Sequence, residues 1–385
     1  MLELTEEEEL IKQFVGALAN RYGRSHWLAC SREGRFTEEL WAELAAGGYL
    51  GMLVPQEYGG AGLGMKEMAV LLEEMANHGI PLLLLVVSSV MNVTLIAKHG
   101  TEEQKKRYLP ALAAGRERAC FAITEPTAGS NSFRIETLAR KDGDSYVLRG
   151  QKAFITAANE VDYIMMVART TPFDEVEDKR EGLSLFLVDP RSTGVELTQQ
   201  DTQILHPERQ FTIFLDDVRV PGENLVGRQG MGTRYLFDAL NPERISAAAL
   251  GVGLGRYVLG KAVAYARERK VFDVPIGAHQ GLQHPMAIAR THLELAALMA
   301  RQAATTFDQG GHAGPHANMA KFAAAEAAVE ACDLAIEVHG GAGFTGEVDI
   351  ITLWPLIRML RTAPVSREMI LNYIGEHVLG LPRSY

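Results

Sequence analysis

Cysteine is scarce in this sequence, three in 385 residues. Cys30, Cys120 and Cys332 stand far apart and form no metal or redox spacing. Each is expected to behave as a small apolar residue in a reducing compartment. A basic stripe is lacking as well. The net charge is −10, with acids in both halves, so nothing offsets phosphate repulsion and a nucleic-acid partner is excluded. The N-terminus, MLELTEEEELIKQF, is acidic and amphipathic, unlike a signal or transit peptide. No fixed-period repeat or low-complexity tract occurs. Long apolar runs are limited to one: GIPLLLLVVSSVMNVTLIA, residues 79 to 97, is 19 residues without a charge, long enough to span a bilayer. Pro81, Ser88, Ser89, Asn92 and Thr94 punctuate it and no second candidate accompanies it. The expectation is a buried core helix, in a cytoplasmic protein with no membrane span.

What is present is ordinary globular material. Hydrophobic content is 47% and charge 22%, and the length allows two or three domains with a large core. Three zones follow one another, 1–117, 118–226 and 227–385. The first has apolar residues at helical spacing: FTEELWAELAAGG carries Thr37 as a start signal and Gly47 and Gly48 as a stop. TEEQKKRYLPALAAG repeats this with Thr101 as cap and Pro110 as an interruption. The second zone alternates with period two in SYVLRGQKAFIT, VDYIMMVAR, LSLFLVD and FTIFLDDVRVP; KDGDS is a hairpin-type turn and PFDEVEDKREG a solvated loop. The third is helical again and rich in alanine. The fold class is therefore α+β, with helices, then strands, then helices.

Four stretches could carry chemistry. CFAITEPTAGSN, residues 120–131, leaves a strand for a loop of hydroxyls and small residues, either a plain turn or a set of donors for a polar planar ligand. QKAFITAAN, residues 151–159, sets Phe154 beside Thr156 at a strand end. EVHGGAGFT, residues 337–345, ends a helix in glycines, as a C-cap or as a close backbone approach to a diphosphate. LNPERISAAAL, residues 240–250, offers Asn241 as N-cap and Pro242 as first helical residue. Glu243 would then either complement the helix dipole or face a pocket and do chemistry.

In this order the stretches resemble the acyl-CoA dehydrogenase family over essentially the whole chain. VPQEYGGAGLG, HGTEEQKKRYLPALAAG, ITEPTAGSN, QKAFITAAN, DDVRVPGENLVG, RERKVFDVPIGAHQ and HGGAGFT look like family blocks at family spacing. The resemblance implies an N-terminal helical domain, a middle β-barrel domain and a C-terminal four-helix bundle. It implies FAD as cofactor, an acyl-CoA substrate, an electron-transfer flavoprotein as acceptor and a homotetramer. Phe121, Ile123 and Thr124 match the segment that holds the flavin ring, with Gly129 beside it. Ser130 matches a residue shared between the flavin phosphate and the coenzyme A arm. Phe154, Ile155 and Thr156 match the segment over the ring. Arg269, Phe272, Gln280, Gly340 and Gly341 match residues that reach the adenine-dinucleotide half of FAD in a neighbouring subunit. Asn131, Asp273 and Glu337 depart from the usual Asp, Gly and Gln, and a carboxylate at Glu337 repels a diphosphate unless it turns away.

The reaction so implied removes a proton from Cα of the thioester and passes a hydride from Cβ to flavin N5, giving the trans-2-enoyl-CoA. Many relatives place the base in a Glu-Gly-Thr turn before the last helix. RTAPVSREMI, residues 361–370, has Ala363 or Pro364 there, and neither takes a proton. Ala363 is the better match, because its N–H is free to bind the substrate carbonyl. A minority of the family, the isovaleryl- and long-chain enzymes, carries the base on another helix directly before an arginine. Glu243 and Arg244 fall at that place, so Glu243 is the expected base and Arg244 a residue that organises the substrate end. The alternative is a flavin oxidase or monooxygenase of the same superfamily.

Overall fold

In the computed structural model, which describes residues 4–384, the first zone is helical because its caps and apolar spacing agree. Helix α1 (Glu6–Tyr22) opens on a reciprocal box in which Thr5 accepts from the Glu8 N–H and Glu8 accepts from the Thr5 N–H. Helices α2 (Arg24–Glu33) and α3 (Glu38–Ala46) follow; α2 stops at Gly34, whose φ of 72° suits glycine. Thr37 stands at the N-cap of α3 but its hydroxyl makes no capping bond. Helix α4 (Met65–Asn77) leads to the apolar run, which is π-helical over Leu85–Asn92 and continues as α5 (Val93–His99). Most of its side chains are buried, as expected of a core segment. Helix α6 (Glu102–Ala113) opens on a Thr101–Gln104 box and, contrary to the sequence expectation, runs on through Pro110. A proline there removes one backbone bond, and burial of Leu109, Ala111, Leu112 and Ala113 outweighs that loss.

The second zone is one eight-stranded sheet. Its strands are β1 (Ala119–Ala122), β2 (Leu138–Asp142), β3 (Ser145–Thr156), β4 (Tyr163–Arg169), β5 (Leu183–Val188), β6 (Val195–Gln199), β7 (Gln210–Pro221) and β8 (Leu225–Val226). The order is β6-β7-β3-β2-β4-β5-β8, with β1 parallel to β4. The KDGDS turn joins β2 to β3 through Gly143 at φ 59°. Strands β4 and β5 are buried almost throughout, whereas β3 and β7 alternate.

The third zone begins with α7 (Gly232–Glu268), a 37-residue helix. A small hairpin, β9 (Lys270–Val271) and β10 (Val274–Pro275), precedes α8 (Gln280–Asp308) and α9 (Gly314–His339). Helices α10 (Trp354–Met359) and α11 (Arg367–His377) complete the chain. Helix α7 packs on α9, α4 and α8. Among the described residues α7, not the residue 79–97 run, is the one helix long and apolar enough to cross a membrane, and 67% of its apolar window is buried inside the fold. The α+β arrangement of helices, sheet and helices is the one the sequence predicts.

Candidate functional site

The sheet brings two of the sequence stretches side by side. Ala153 N–H donates to the Thr124 carbonyl at 2.9 Å, so residues 121–124 and 153–156 share one edge. Beneath them lies a buried ion pair, Lys152 Nζ to Glu125 Oε1 at 2.8 Å, and Lys152 also donates to the Ile123 carbonyl at 3.2 Å. Glu125 accepts from the Glu136 and Thr137 N–H groups. Burial pushes the Glu125 carboxyl up, and Lys152 with those donors pulls it to a net lowered pKa. Burial lowers the Lys152 ammonium to about 8. Phe121 and Ile155 are both buried. Thr124 and Thr156 are half-buried, and Gly129 and Ser130 are exposed on the loop beyond. Phe154 stands 61% exposed at φ 57°, its N–H held by Gln200 Oε1 at 3.0 Å. The Thr156 hydroxyl is 3.2 Å from Gln210 Oε1.

Glu243 is on α7, but the local reading of its helix is corrected. The helix begins at Gly232, so Pro242 is internal and Asn241 is no cap. Leu236 and Ala239 are buried, and Asp238 pairs with His99 at 2.8 Å and Lys98 at 3.1 Å. These contacts hold the turn ahead of the proline helical despite its missing N–H. Glu243 therefore sits about three turns inside the helix, out of reach of the N-terminal dipole. The residue as a whole is half-buried, yet protein crowds the carboxyl so closely that burial lifts its pKa to about 7, against the opposing pull of Arg244 and Lys321. Arg244 is buried; Nη1 donates to Asn241 Oδ1 at 3.2 Å, and its Nε–H has no partner among the described residues. Lys321 of α9, buried and lowered to about 8 by that burial, donates to the Val365 carbonyl at 2.5 Å. The loop of residues 361–366 thus abuts the same cluster. Ala363 N–H donates to the Met359 carbonyl at 2.9 Å. It is not free for a substrate carbonyl, because the chain leaving α10 closes its last turn with that bond.

The remaining sequence candidates come from the third zone. Arg269 ends α7, and Phe272 and Asp273 form the tip of the β9–β10 hairpin at φ 53° and 68°. Both φ values are left-handed, which two-residue hairpin turns require and which explains a preference for glycine at position 273. Phe272 is 91% exposed. Gln280 is exposed at the start of α8. Gly340 closes α9 at φ 57°, and both Gly340 and Gly341 have open space where a Cβ would stand. Glu337 is exposed one turn earlier. One group among the described residues has metal-ligand character: His26, Cys30 and Glu39, within 4.8 Å of one another. Arg35 already lies 3.3 Å from both Glu39 oxygens.

Sequence reasoning missed Lys321, Lys152 and Glu125. A signal existed for Lys321, the sole cation between Asn318 and Glu326 in an alanine-rich helix. The Lys152–Glu125 pair had none, because its partners come from different strand ends.

The chain matches three family profiles: acyl-CoA dehydrogenase N-terminal domain over residues 5–116, middle domain over 120–218 and C-terminal domain over 230–379. It is 46% identical over 383 residues to acyl-CoA dehydrogenase fadE12 of Mycobacterium bovis, covering 99% of this chain and 98% of that one. Butyryl-CoA dehydrogenase from Megasphaera elsdenii superposes with a TM-score of 0.93 at 25% identity, covering 98% of this chain and 100% of the other. A glutaryl-CoA dehydrogenase from Mycobacterium smegmatis, in complex with FADH2, gives 0.90 at 26% identity, covering 99% and 96%.

Proposed function

This chain belongs to the acyl-CoA dehydrogenase family, and from that premise we propose that it converts an acyl-CoA thioester to the trans-2-enoyl-CoA, with Glu243 removing the α-proton. The observation that carries this is Glu243 itself. It is a carboxylate lifted to about 7 inside α7, whereas the loop of residues 361–366 holds no acid. A carboxylate with that pKa is a stronger base than an ordinary one and is still half ionised at neutral pH. Arg244 would organise the substrate end of the cluster.

The residues present fit FAD. An exposed aromatic, Phe154, stands on a rigid strand edge beside Thr124 and Thr156. Gly129, Gly340 and Gly341 leave their Cβ positions open to a diphosphate, and Glu337 points its exposed side chain to solvent rather than into the fold. Phe121, Ile123, Thr124, Phe154, Ile155 and Thr156 would hold the ring. Gly129 and Ser130 would hold the phosphate and coenzyme A side. Arg269, Phe272, Gln280, Gly340 and Gly341, with Glu337 nearby, would serve the adenine half in a neighbouring subunit. When bound, FAD would supply the acceptor for the β-hydride, and an electron-transfer flavoprotein would take the electrons onward. The domain limits 1–117, 118–226 and 227–385 then put the ring-binding edge in the middle domain and the base in the last.

Glu243→Gln keeps the shape and removes the proton acceptor. General-base catalysis contributes about a hundred- to ten-thousandfold, so substrate-driven flavin bleaching should slow by about 10⁴ while flavin content stays unchanged. Near-normal bleaching would remove Glu243 from the mechanism.

A further inference from the structure

Lys321 sits in mid-α9 at 1% exposure. A lysine is seldom buried so fully unless it is paired. Its ammonium has three donors and one hydrogen-bond acceptor among the described residues, the Val365 carbonyl at 2.5 Å. The charged groups facing it come from three helices: Glu243 and Arg244 of α7, Glu326 of α9 and Glu368 of α11. Tyr373 of α11 faces Arg244. Two of the three carboxylates are already engaged. Glu326 bonds Arg361 at 2.9 Å and Arg367 at 3.1 Å, and Glu368 is exposed, 3.9 Å from Arg367. Arg244 spends one donor on Asn241. Glu243 makes no direct ion pair among the described residues, and Arg244 and then Lys321 are the cations whose charge acts on it.

We propose that Lys321 is a positioning residue for the Glu243 site: its ammonium clamps the Val365 carbonyl, holding the loop of residues 361–366 against α9, and at neutral pH its charge acts on the Glu243 carboxylate. The inference rests on Glu243 being the base. The loop holds no acid, and a cation keeps it docked. The same cation opposes the effect of burial on Glu243, leaving more of the carboxylate ionised at neutral pH. Without it, Glu243 would hold its proton to higher pH.

The test uses the FAD-loaded enzyme and two variants. Lys321→Gln keeps a donor for the Val365 carbonyl and removes the charge; Lys321→Arg keeps the charge. Stopped-flow bleaching of the flavin by an acyl-CoA substrate, followed across pH, should show the acid limb of Lys321→Gln about one pH unit above wild type. At pH 7 that is a loss of about fivefold, recovering towards pH 9. The limb of Lys321→Arg should stay in place. An unmoved limb in a flavinated Lys321→Gln protein overturns the proposal, as does an equal shift in Lys321→Arg. Where Lys321→Gln alone fails to accumulate, Glu243→Gln/Lys321→Gln should accumulate, because the unbalanced carboxylate is gone; failure of that double variant also overturns it. The two readings separate cleanly. Normal bleaching in Glu243→Gln defeats the base assignment, whereas an inert Glu243→Gln with an unmoved Lys321→Gln limb defeats the role of Lys321 alone.

Discussion

Burial and charge pull Glu243 in opposite directions, and burial wins. Arg244 and Lys321 favour the ionised carboxyl, yet desolvation leaves its pKa near 7, above the ordinary 4.5. The folded chain therefore binds this proton more tightly than the unfolded chain. Linkage makes stability fall as pH rises from about 4.5 to about 7, with the full loss present above 7. Glu243→Gln, which resembles the protonated form, removes that loss. After a discount for the exposed part of the side chain, the variant should be about 1–2 kcal/mol more stable than wild type at pH 8. Most of the gain should be gone by pH 5. Chemical denaturation at the two pH values checks this, and a variant equally or less stable at pH 8 would count against a raised Glu243 pKa. The sequence singles this residue out as the candidate base through the Glu-Arg pair and the acid-free loop. Its helix dipole role was the reading that failed, because Asn241 and Pro242 form a good local start signal that the packing of residues 232–240 overrides.

At the scale of elements, α7 shows what the small residues after Glu243 do. Gly251 faces Ala324 of α9, Gly253 faces the Glu73 carbonyl of α4, and Gly255 faces Leu293 of α8. The sequence signalled close packing but not the partner, which depends on how three helices meet. The tightest point is Gly253, where an added Cβ would lie 2.1 Å from the Glu73 oxygen and 2.6 Å from the Ala76 Cβ. Both obstacles belong to the α4 helix and cannot swing aside. Beside this contact, Arg256 of α7 joins Glu73 and Glu294, tying α4 to α7 and α8. Gly253→Ala should therefore push α4 away and cost about 1–3 kcal/mol, or more, despite alanine's better helix propensity. Gly260→Ala, on the same helix with open space around it, should be neutral or slightly stabilising. Denaturant midpoints of the two variants make the comparison, and equal stabilities would contradict the close approach of α7 to α4.

At the scale of the whole molecule, the three zones were legible because period-two and helical spacing differ so plainly between residues 118–226 and their flanks. Assembly leaves a fainter trace in one chain, in apolar surface that the chain does not itself cover. Phe272 is 91% exposed at a hairpin tip, and α8 exposes Ile288, Leu295 and Leu298 at 50%, 58% and 47%. Those three recur at i, i+7 and i+10, one face of a helix. By resemblance, Arg269, Gln280, Gly340 and Gly341 match residues that reach the cofactor of a neighbouring subunit, so the shared-site reading calls for a second copy. If so, FAD retention and assembly are linked, since each ligand stabilises the form that binds it. Arg269→Ala removes one cation proposed to meet the cofactor of a neighbour and leaves the fold of its own chain intact, because its side chain is exposed. Sedimentation of the wild type should give a flavin-loaded tetramer, and Arg269→Ala should lose FAD and shift toward smaller species together. Added FAD should restore both in parallel. A wild-type monomer carrying a full complement of flavin would sink the shared-site reading, and loss of flavin with an undisturbed tetramer would confine Arg269 to cofactor binding with no part in assembly.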